Sequence, residues 1–453
     1  MNLLIAILGA ILAIFSIIIL HELGHFVVAK ACGIKVLRFS IGFGKAIWKR
    51  KGKDGTEYAL AILPLGGYVK MLGEGEEVTT PEDAHRAFNK KPLLSRMAVV
   101  AAGPLVNFII AIVAYWCVFL MGVVHTKPVI GQVVPGSIAA QAGVKSGDEL
   151  IRINGARTRN WQGAMMAIIT HIGDKGHLTL TIKPAGSDKL EKKTLNLASW
   201  NVDRRNPDFF QSLGMLPYQP KIMPVIAKTV RESPAAKAGL RPGDRIVAIN
   251  GHRVSDWASV VNMVRKHPNE TITVAVMRNN KSQNFQVKVG SSKVKGREYG
   301  FLGIQSYPPR WPAHMVQRDH YSVFSAWLPA VEQTWRLTTF NFMVVMKMIT
   351  GKISIHTLGG PITVFQAAGK ATQAGLQVYL GFVGFISLTI GFINLLPIPG
   401  LDGGHLLFQV IEGIFRRPVP ERYQMVGLSI GMIFLIFLMV QATINDLTRL
   451  FFQ

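Results

Sequence analysis

From Leu3 to Leu20 the chain carries no charged side chain, and a run of that kind has few ways to fold. In hydrocarbon every backbone N–H and C=O must find a partner inside the segment, which leaves a helix. About eighteen residues rise about 27 Å as a helix, close to the apolar thickness of a bilayer. The run leads directly into His21-Glu22-Leu23-Gly24-His25. At 3.6 residues per turn His21 and His25 stack on one face and can turn ring nitrogens toward a single ion, with Glu22 beside a metal-activated water. Histidines resting among lipid headgroups are the plain alternative, but three ionisable groups closing an apolar span are costly without a function.

Three further apolar windows follow, so the spans run over about Leu3–Val28, Met97–Val124, Val378–Leu396 and Met425–Ile444. Four spans put both termini on one side. The opening segment has neither a basic n-region nor a small-residue cleavage site, which predicts a retained span rather than a signal peptide. Residues 30–96 carry about thirteen Lys and Arg, including Lys49-Arg50-Lys51, and the short connection before the last span carries Arg416, Arg417 and Arg422. The positive-inside rule makes both loops cytoplasmic and puts residues 125–375 and the termini outside. The expected order is a first span with the zinc motif (1–28), a cytoplasmic or re-entrant β region (29–96) and a second span (97–124). Residues 125–308 form an outer region, and 309–375 an amphipathic membrane-surface linker. A third span (376–410), a cytoplasmic loop (411–424) and a fourth span with an outer C-terminus (425–453) complete the chain.

With 453 residues, 49% of them hydrophobic, the chain has room for soluble parts beside its spans. Its formal charge of +24 exceeds what the inner loops need, because the outer region is itself basic. Long translocated domains escape the charge rule, and such a surface suits acidic partners or anionic lipid, or is simply solvated. No nucleic-acid motif is present, so no nucleic-acid partner is expected. The outer region contains neither of the two cysteines, Cys32 and Cys117, which excludes a disulfide framework and leaves metal ligation to His and carboxylate.

Within the outer region Gly136–Gly155 recurs 96 residues later as Glu232–Gly251, with Trp161 and Trp257 in register. Two copies of one small domain follow, at 125–220 and 221–308. In each, an Ala-rich helix ends at Gly143 or Gly239, and a Gly-Asp turn leads into a strand. Ile151 and Ile153, or Ile246 and Val247 with Ile249, are expected to be its buried side chains. Asn154-Gly155 and Asn250-Gly251 make tight hairpin turns. The pattern A-x-A-G-L-x-x-G-D-x-I-x-x-I-N-G resembles PDZ domains of the bacterial protease type, which take extended peptides at a sheet edge. That resemblance places carboxylate-binding loops at Leu213-Gly214-Met215 and Leu302-Gly303-Ile304; a rigid spacer binding nothing is the alternative. Charges interrupt every long apolar window of residues 318–350, so Trp327, Trp335, Phe340 and Phe342 read as part of a membrane-surface helix.

A catalytic zinc takes three protein ligands and keeps one position open, so the histidines need a third donor. Asn394-Leu-Leu-Pro397-Ile-Pro399-Gly-Leu-Asp402-Gly403-Gly404 breaks a helix at the end of the third span, where irregular backbone is tolerated only beside protein or a water-filled cavity. Asp402 on that piece is the leading donor. Glu412, His405 and Asp446 are the rivals. Gly103-Pro104 and Asn107, at the start of the second span, either hydrogen-bond near the site or let helices pack closely, with packing the expected role of Gly103.

H-E-L-G-H after an apolar span, N-x-x-P-x-P-x-x-D-G on a later one and the paired domains between them together resemble the site-2 protease family over nearly the whole chain. The resemblance implies a polytopic α-helical membrane protein of four spans, with a membrane-associated β-sheet after the first and two tandem PDZ domains between the second and third. It implies that His21, His25 and Asp402 bind Zn2+, that Glu22 is the catalytic acid/base, and that Asn394 holds substrate backbone or the developing oxyanion. The implied enzyme is an intramembrane zinc endopeptidase of a bacterial inner membrane, its active site toward the cytoplasm and its PDZ domains periplasmic. Its partners would be single-span membrane proteins, such as anti-sigma factors trimmed by an earlier outer cut, and signal-peptide remnants. A spanning helix hides its peptide bonds, so a substrate must unwind before hydrolysis. Lys35–Ser40, Lys45–Arg50, Thr56–Leu63 and Gly67–Leu72 read as four short strands turning at Gly42-Phe43-Gly44 and Leu65-Gly66-Gly67. An edge of that sheet, near Gly66 and Gly67, would hold unwound substrate as an added strand. A catalytically inactive membrane PDZ scaffold has no use for Glu22, and a metal transporter would need polar residues along several spans.

Overall fold

The computed structural model describes residues 2–74, 81–202, 208–294 and 297–452. Four of its helices are long and apolar enough to cross a membrane: Ile7–Ala31 within α1 (Asn2–Ala31), α2 (Leu93–Leu120), α10 (Leu376–Leu395) and Glu421–Phe451 within α12 (Glu421–Phe452). Helix α2 packs against α1 and α10, and glycines set the spacing. A Cβ on Gly24 would stand 2.8 Å from the Ala102 carbonyl, and one on Gly391 would stand 3.0 Å from the Pro104 carbonyl.

After α1 the chain forms two long strands rather than four short ones, β1 (Val36–Lys51) and β2 (Glu57–Met71). Each still bends where a turn was expected, and each pairs with the other in two registers, so that Phe39 lies between Val69 and Tyr58. The glycines bend these strands without ending them. Gly42 and Gly44 both have φ of 89°, a conformation open to glycine that kinks the pleat and preserves the ladder.

Strand β3 (Val123–Thr126) leaves α2 and pairs with β18 (Val316–Asp319), which returns toward the membrane. Between them stand two copies of one unit. The first comprises β4 (Ile130–Val133), α3 (Ile138–Gln141), β5 (Glu149–Ile153), β6 (Ala156–Arg157), α4 (Trp161–Ile169), β7 (His177–Lys183), β8 (Glu191–Asn196), α5 (Phe209–Leu213) and β9 (Met215–Pro217). The second comprises β10 (Ile226–Thr229), α6 (Pro234–Lys237), β11 (Arg245–Ile249), β12 (His252–Arg253), α7 (Trp257–Arg265), β13 (Thr271–Arg278), β14 (Lys281–Lys288), β15 (Gly290–Val294), β16 (Arg297–Phe301) and β17 (Ile304–Ser306). Strand orders β6-β5-β7-β8 and β12-β11-β13-β14 match, as do the pairs β4-β9 and β10-β17. The cores match too: Ile130, Ala139, Leu150, Ile153 and Ile168 correspond to Ile226, Ala235, Ile246, Ile249 and Val264, all buried. Asn154 and Asn250 have φ of 45° and 48°, and their side chains accept from Thr179 N and Thr273 N at 2.8 Å.

One strand register differs from expectation. Leu150, not Ile151, is buried beside Ile153, and Val247 is only half-buried beside Ile246 and Ile249. A register shift between Leu150 and Arg152, repeated between Ile246 and Ala248, places the inward residues three apart instead of two.

Two helices lie in the chain between the repeated units and α10: α8 (Trp327–Ile349) and α9 (Pro361–Ala374). Lys347 on α8 donates to the Ile172 carbonyl at 2.7 Å, which ties the first unit to α8, and Trp116 on α2 donates to the Val323 carbonyl at 2.8 Å, which ties the segment after β18 to that span. Helix α11 (Asp402–Phe415) starts at the break after α10.

Candidate metal centre and active site

Helix α1 places His21 and His25 one turn apart with both rings buried. The ring of His25 donates from Nδ1 to the Val99 carbonyl of α2 at 2.8 Å, which leaves its Nε2 as the lone pair. That Nε2 lies 3.2 Å from His21 Nε2 and 3.4 Å from Asp402 Oδ2, and His21 Nε2 lies 3.2 Å from the same oxygen. Asp402 reaches this point because the chain is not helical between the end of α10 and the start of α11. A Cβ on Gly403 would lie 2.1 Å from the Leu396 carbonyl, so the glycine after Asp402 lets α11 begin tightly against α10.

The three donors fit a metal ion. Tetrahedral zinc, with bonds of about 2.0–2.1 Å, holds its donor atoms about 3.3–3.4 Å apart, which is the spacing found. Two imidazole nitrogens and a carboxylate oxygen presenting lone pairs to one point repel each other unless a cation lies between them. Gly103 completes the cradle, since a Cβ there would stand 2.2 Å from His25 Nε2 and 2.7 Å from His21 Nε2. Its role is therefore more than the helix packing expected from sequence. From the start of α2, Gly103 lies about 15 Å along the helix axis, inside the apolar helix that is long enough to cross a membrane.

Glu22 is half-buried beside the cluster and makes no hydrogen bond among the described residues. Its side chain touches the sheet, because a Cβ on Gly67 would stand 2.8 Å from Glu22 Cγ. Gly66, at φ 157°, is covered by the Phe43 ring, which stacks on Tyr68 with centroids 6.1 Å apart. The carboxylate, the strand Gly67–Met71 and the three donors thus share one pocket of space.

The donor set now bears on identity. The profile of peptidase family M50 matches residues 9–438. The chain belongs to peptidase family M50. It is similar to the regulator of sigma-E protease RseP of Salmonella typhimurium, 42% identical over 97% of this chain and 98% of that protein. Protease RseP of Yersinia pestis is also 42% identical, over 99% of this chain and all of its own length, 100%. Among solved structures, the PDZ domain of the SdrC-like protein from Listeria monocytogenes aligns with 20% of this chain and 90% of its own at 18% identity, with a TM-score of 0.16. This M50 member is a zinc metalloprotease carried on a multi-pass membrane scaffold.

The other candidates fall elsewhere. Glu412 accepts both arms of the Arg96 guanidinium, at 3.0 and 2.5 Å. Asp446 accepts from the Gly360 and Thr363 amides, both at 2.9 Å, and so holds the start of α9 against α12. His405 is exposed and outside the donor cluster. Asn394 is half-buried, three residues beyond Gly391 on α10; because α10 runs antiparallel to α2, it lies a turn nearer the level of Gly103. In the repeated units Leu213 and Leu302 are core residues. Gly214 and Gly303, at φ 83° and 73°, close against Ser137 and Ser233, and their carbonyls accept from Val134 and Val230. Sequence reasoning missed Val99, whose contribution is a backbone carbonyl and leaves no residue-type signal.

Proposed function

We propose that this protein cleaves the membrane-embedded segments of single-span proteins, with His21, His25 and Asp402 holding zinc and Glu22 acting as acid/base. The observation that carries the reading is the convergence of three donor atoms 3.2–3.4 Å apart, with Glu22 packed between them and the β2 strand. When bound, zinc supplies polarisation of the scissile carbonyl and activation of water. Glu22 then takes up a proton and returns it to the leaving nitrogen. The second half of β2 pairs with β1 on one side, and its other edge, beginning at Gly66-Gly67, is where an unwound substrate would add as a strand. Asn394 is suited to hold the substrate backbone from α10.

The similarity to regulators of sigma-E supports a place in an envelope stress response, with an anti-sigma factor as substrate after an outer cut. Signal-peptide remnants are substrates of the same chemistry. The repeated outer units, read as tandem periplasmic PDZ domains, would screen out substrates with bulky outer parts, and Leu213-Gly214 and Leu302-Gly303 mark where chain ends would bind. The same orientation gives an inner-membrane enzyme whose metal lies toward the cytoplasm.

The test uses the purified full chain, Glu22→Gln and Asp402→Asn, each incubated with a tagged single-span peptide and assayed for zinc. Cleavage by the parent alone is expected, about 10²–10⁴-fold above Glu22→Gln, with zinc retained in Glu22→Gln and lost in Asp402→Asn. Persistent cleavage by Glu22→Gln would sink the acid/base role, and full zinc in Asp402→Asn would remove the third ligand.

A further inference from the structure

At the far end of α2 from the metal, a cavity of about 710 Å³ opens between α2, α8, α9, α10 and the start of α4. Its floor is apolar and belongs to the spanning helices, including Phe119, Val378, Phe382 and Phe385. Val378 and Phe385 are 50% and 39% exposed, so this floor continues onto faces that meet lipid. The upper wall is charged. Arg159, Arg336 and Lys370 all line the cavity, and among the described residues none of them has a carboxylate within ion-pair distance. Among the described residues the Arg336 guanidinium hydrogen-bonds only Gln333, its Nε is buried without a hydrogen-bond partner, and its Nη1 faces α4 at Gly163. Burial lowers the Arg336 pKa, Glu332 opposes that, and the nearby Arg159 charge lowers it again. The cavity's two carboxylates are Glu332 and Asp319, and Asp319 lies 3.9 Å from His125.

The half-buried Arg336 guanidinium, with the exposed Arg159 and Lys370 lining the same cavity and no carboxylate within ion-pair distance among the described residues, stands over an apolar floor, an arrangement that suits an amphiphilic anion. We propose that this cavity binds a phospholipid, its headgroup phosphate between Arg159 and Arg336 and its acyl chains on the floor formed by α2 and α10. A free phosphate would satisfy the arginines and leave the apolar floor without a purpose. The site lies where α8, α4 and two spanning helices meet, so a bound lipid would help set the outer units against the membrane domain.

The test takes the full chain in detergent, stripped of lipid, and titrates it with phosphatidylglycerol, with diacylglycerol lacking a headgroup, and with inorganic phosphate. Lipid retained per chain is read after gel filtration by mass spectrometry of the extracted phosphatidylglycerol or diacylglycerol. Saturable retention of phosphatidylglycerol is expected, weakened about tenfold or more in Arg159→Gln/Arg336→Gln and largely kept in Arg159→Lys/Arg336→Lys. Glu332→Gln, which removes a cavity carboxylate, should tighten binding and guards against misreading a misfolded double variant. Zinc content checks that each variant is folded. Equal retention in the double Gln variant, equal binding of diacylglycerol, or displacement by millimolar inorganic phosphate would each overturn the proposal.

Discussion

Two glycines test the active site at the level of single atoms. Gly103→Ala would put a methyl group 2.2 Å from His25 Nε2, where the ion must sit, so this variant is expected to lose zinc and activity together. Gly67→Ala would instead press on Glu22 Cγ and on the Ser40 carbonyl, both at 2.8 Å, so it should keep zinc and lose turnover by about 10²-fold or more. Zinc content by mass spectrometry and single-turnover cleavage separate the two, and a zinc-replete Gly103→Ala would refute the placement of the ion. At this scale the sequence was legible where side-chain type carries the chemistry. His21, Glu22 and His25 announce themselves by spacing. Gly103 did not, because a glycine's function here is the volume it leaves empty, and that volume exists only once α1 and α2 are packed.

Among elements, the repeated outer unit was read correctly in its turns and misread in one strand. The Asn-Gly turns need positive φ at both positions, a local demand visible in composition. The bulge in β5 and β11 answers to pairing with β7 and β13, which no local pattern records. The two units also differ in a way that can be measured. Asp148 and Asp244 are both buried at the head of this strand, but Asp244 alone receives a two-pronged bond, from Arg278 Nε at 2.6 Å and Nη2 at 2.7 Å. Burial raises the Asp244 pKa, but the Arg278 bonds and the Arg241 amide overcome it and hold the carboxyl below its usual value. The stabilisation is therefore present above the unfolded Asp pKa, near 4, and is lost as pH falls through the lower folded value. Arg278→Gln should lower the second unit's stability by about 2 kcal/mol at neutral pH. Thermal unfolding of the full chain, followed by hydrogen exchange in β11 and β13, should show that deficit vanishing in acid. An unchanged β11 in the variant would show the pair to be inert.

For the whole molecule, orientation is the property that decides which side supplies substrate. The basic loops predict that 30–96 and 411–424 face the cytoplasm. With Cys32 and Cys117 replaced by Ser, Lys189→Cys should react with a membrane-impermeant maleimide in intact spheroplasts, and Arg417→Cys only after lysis. The reverse pattern would turn the protein over and overturn the screening role proposed for the repeated units. Strand pairing of β3 with β18 and the Lys347 and Trp116 bonds give the outer region a fixed attachment, which such a screen requires.

The sequence by itself determined the membrane class, the two-histidine motif, the repeat and the leading candidate for a third donor. These follow from periodicity and composition, which act over a few turns of chain. Only the tertiary structure decided that Asp402 rather than Glu412, His405 or Asp446 faces the histidines. The same packing turned four short strands into two kinked ones and set Gly67 against Glu22. Each of those outcomes depends on atoms brought together across the chain, where steric fit and the pairing of buried charge, rather than local preference, choose among residues equally able to bind a metal.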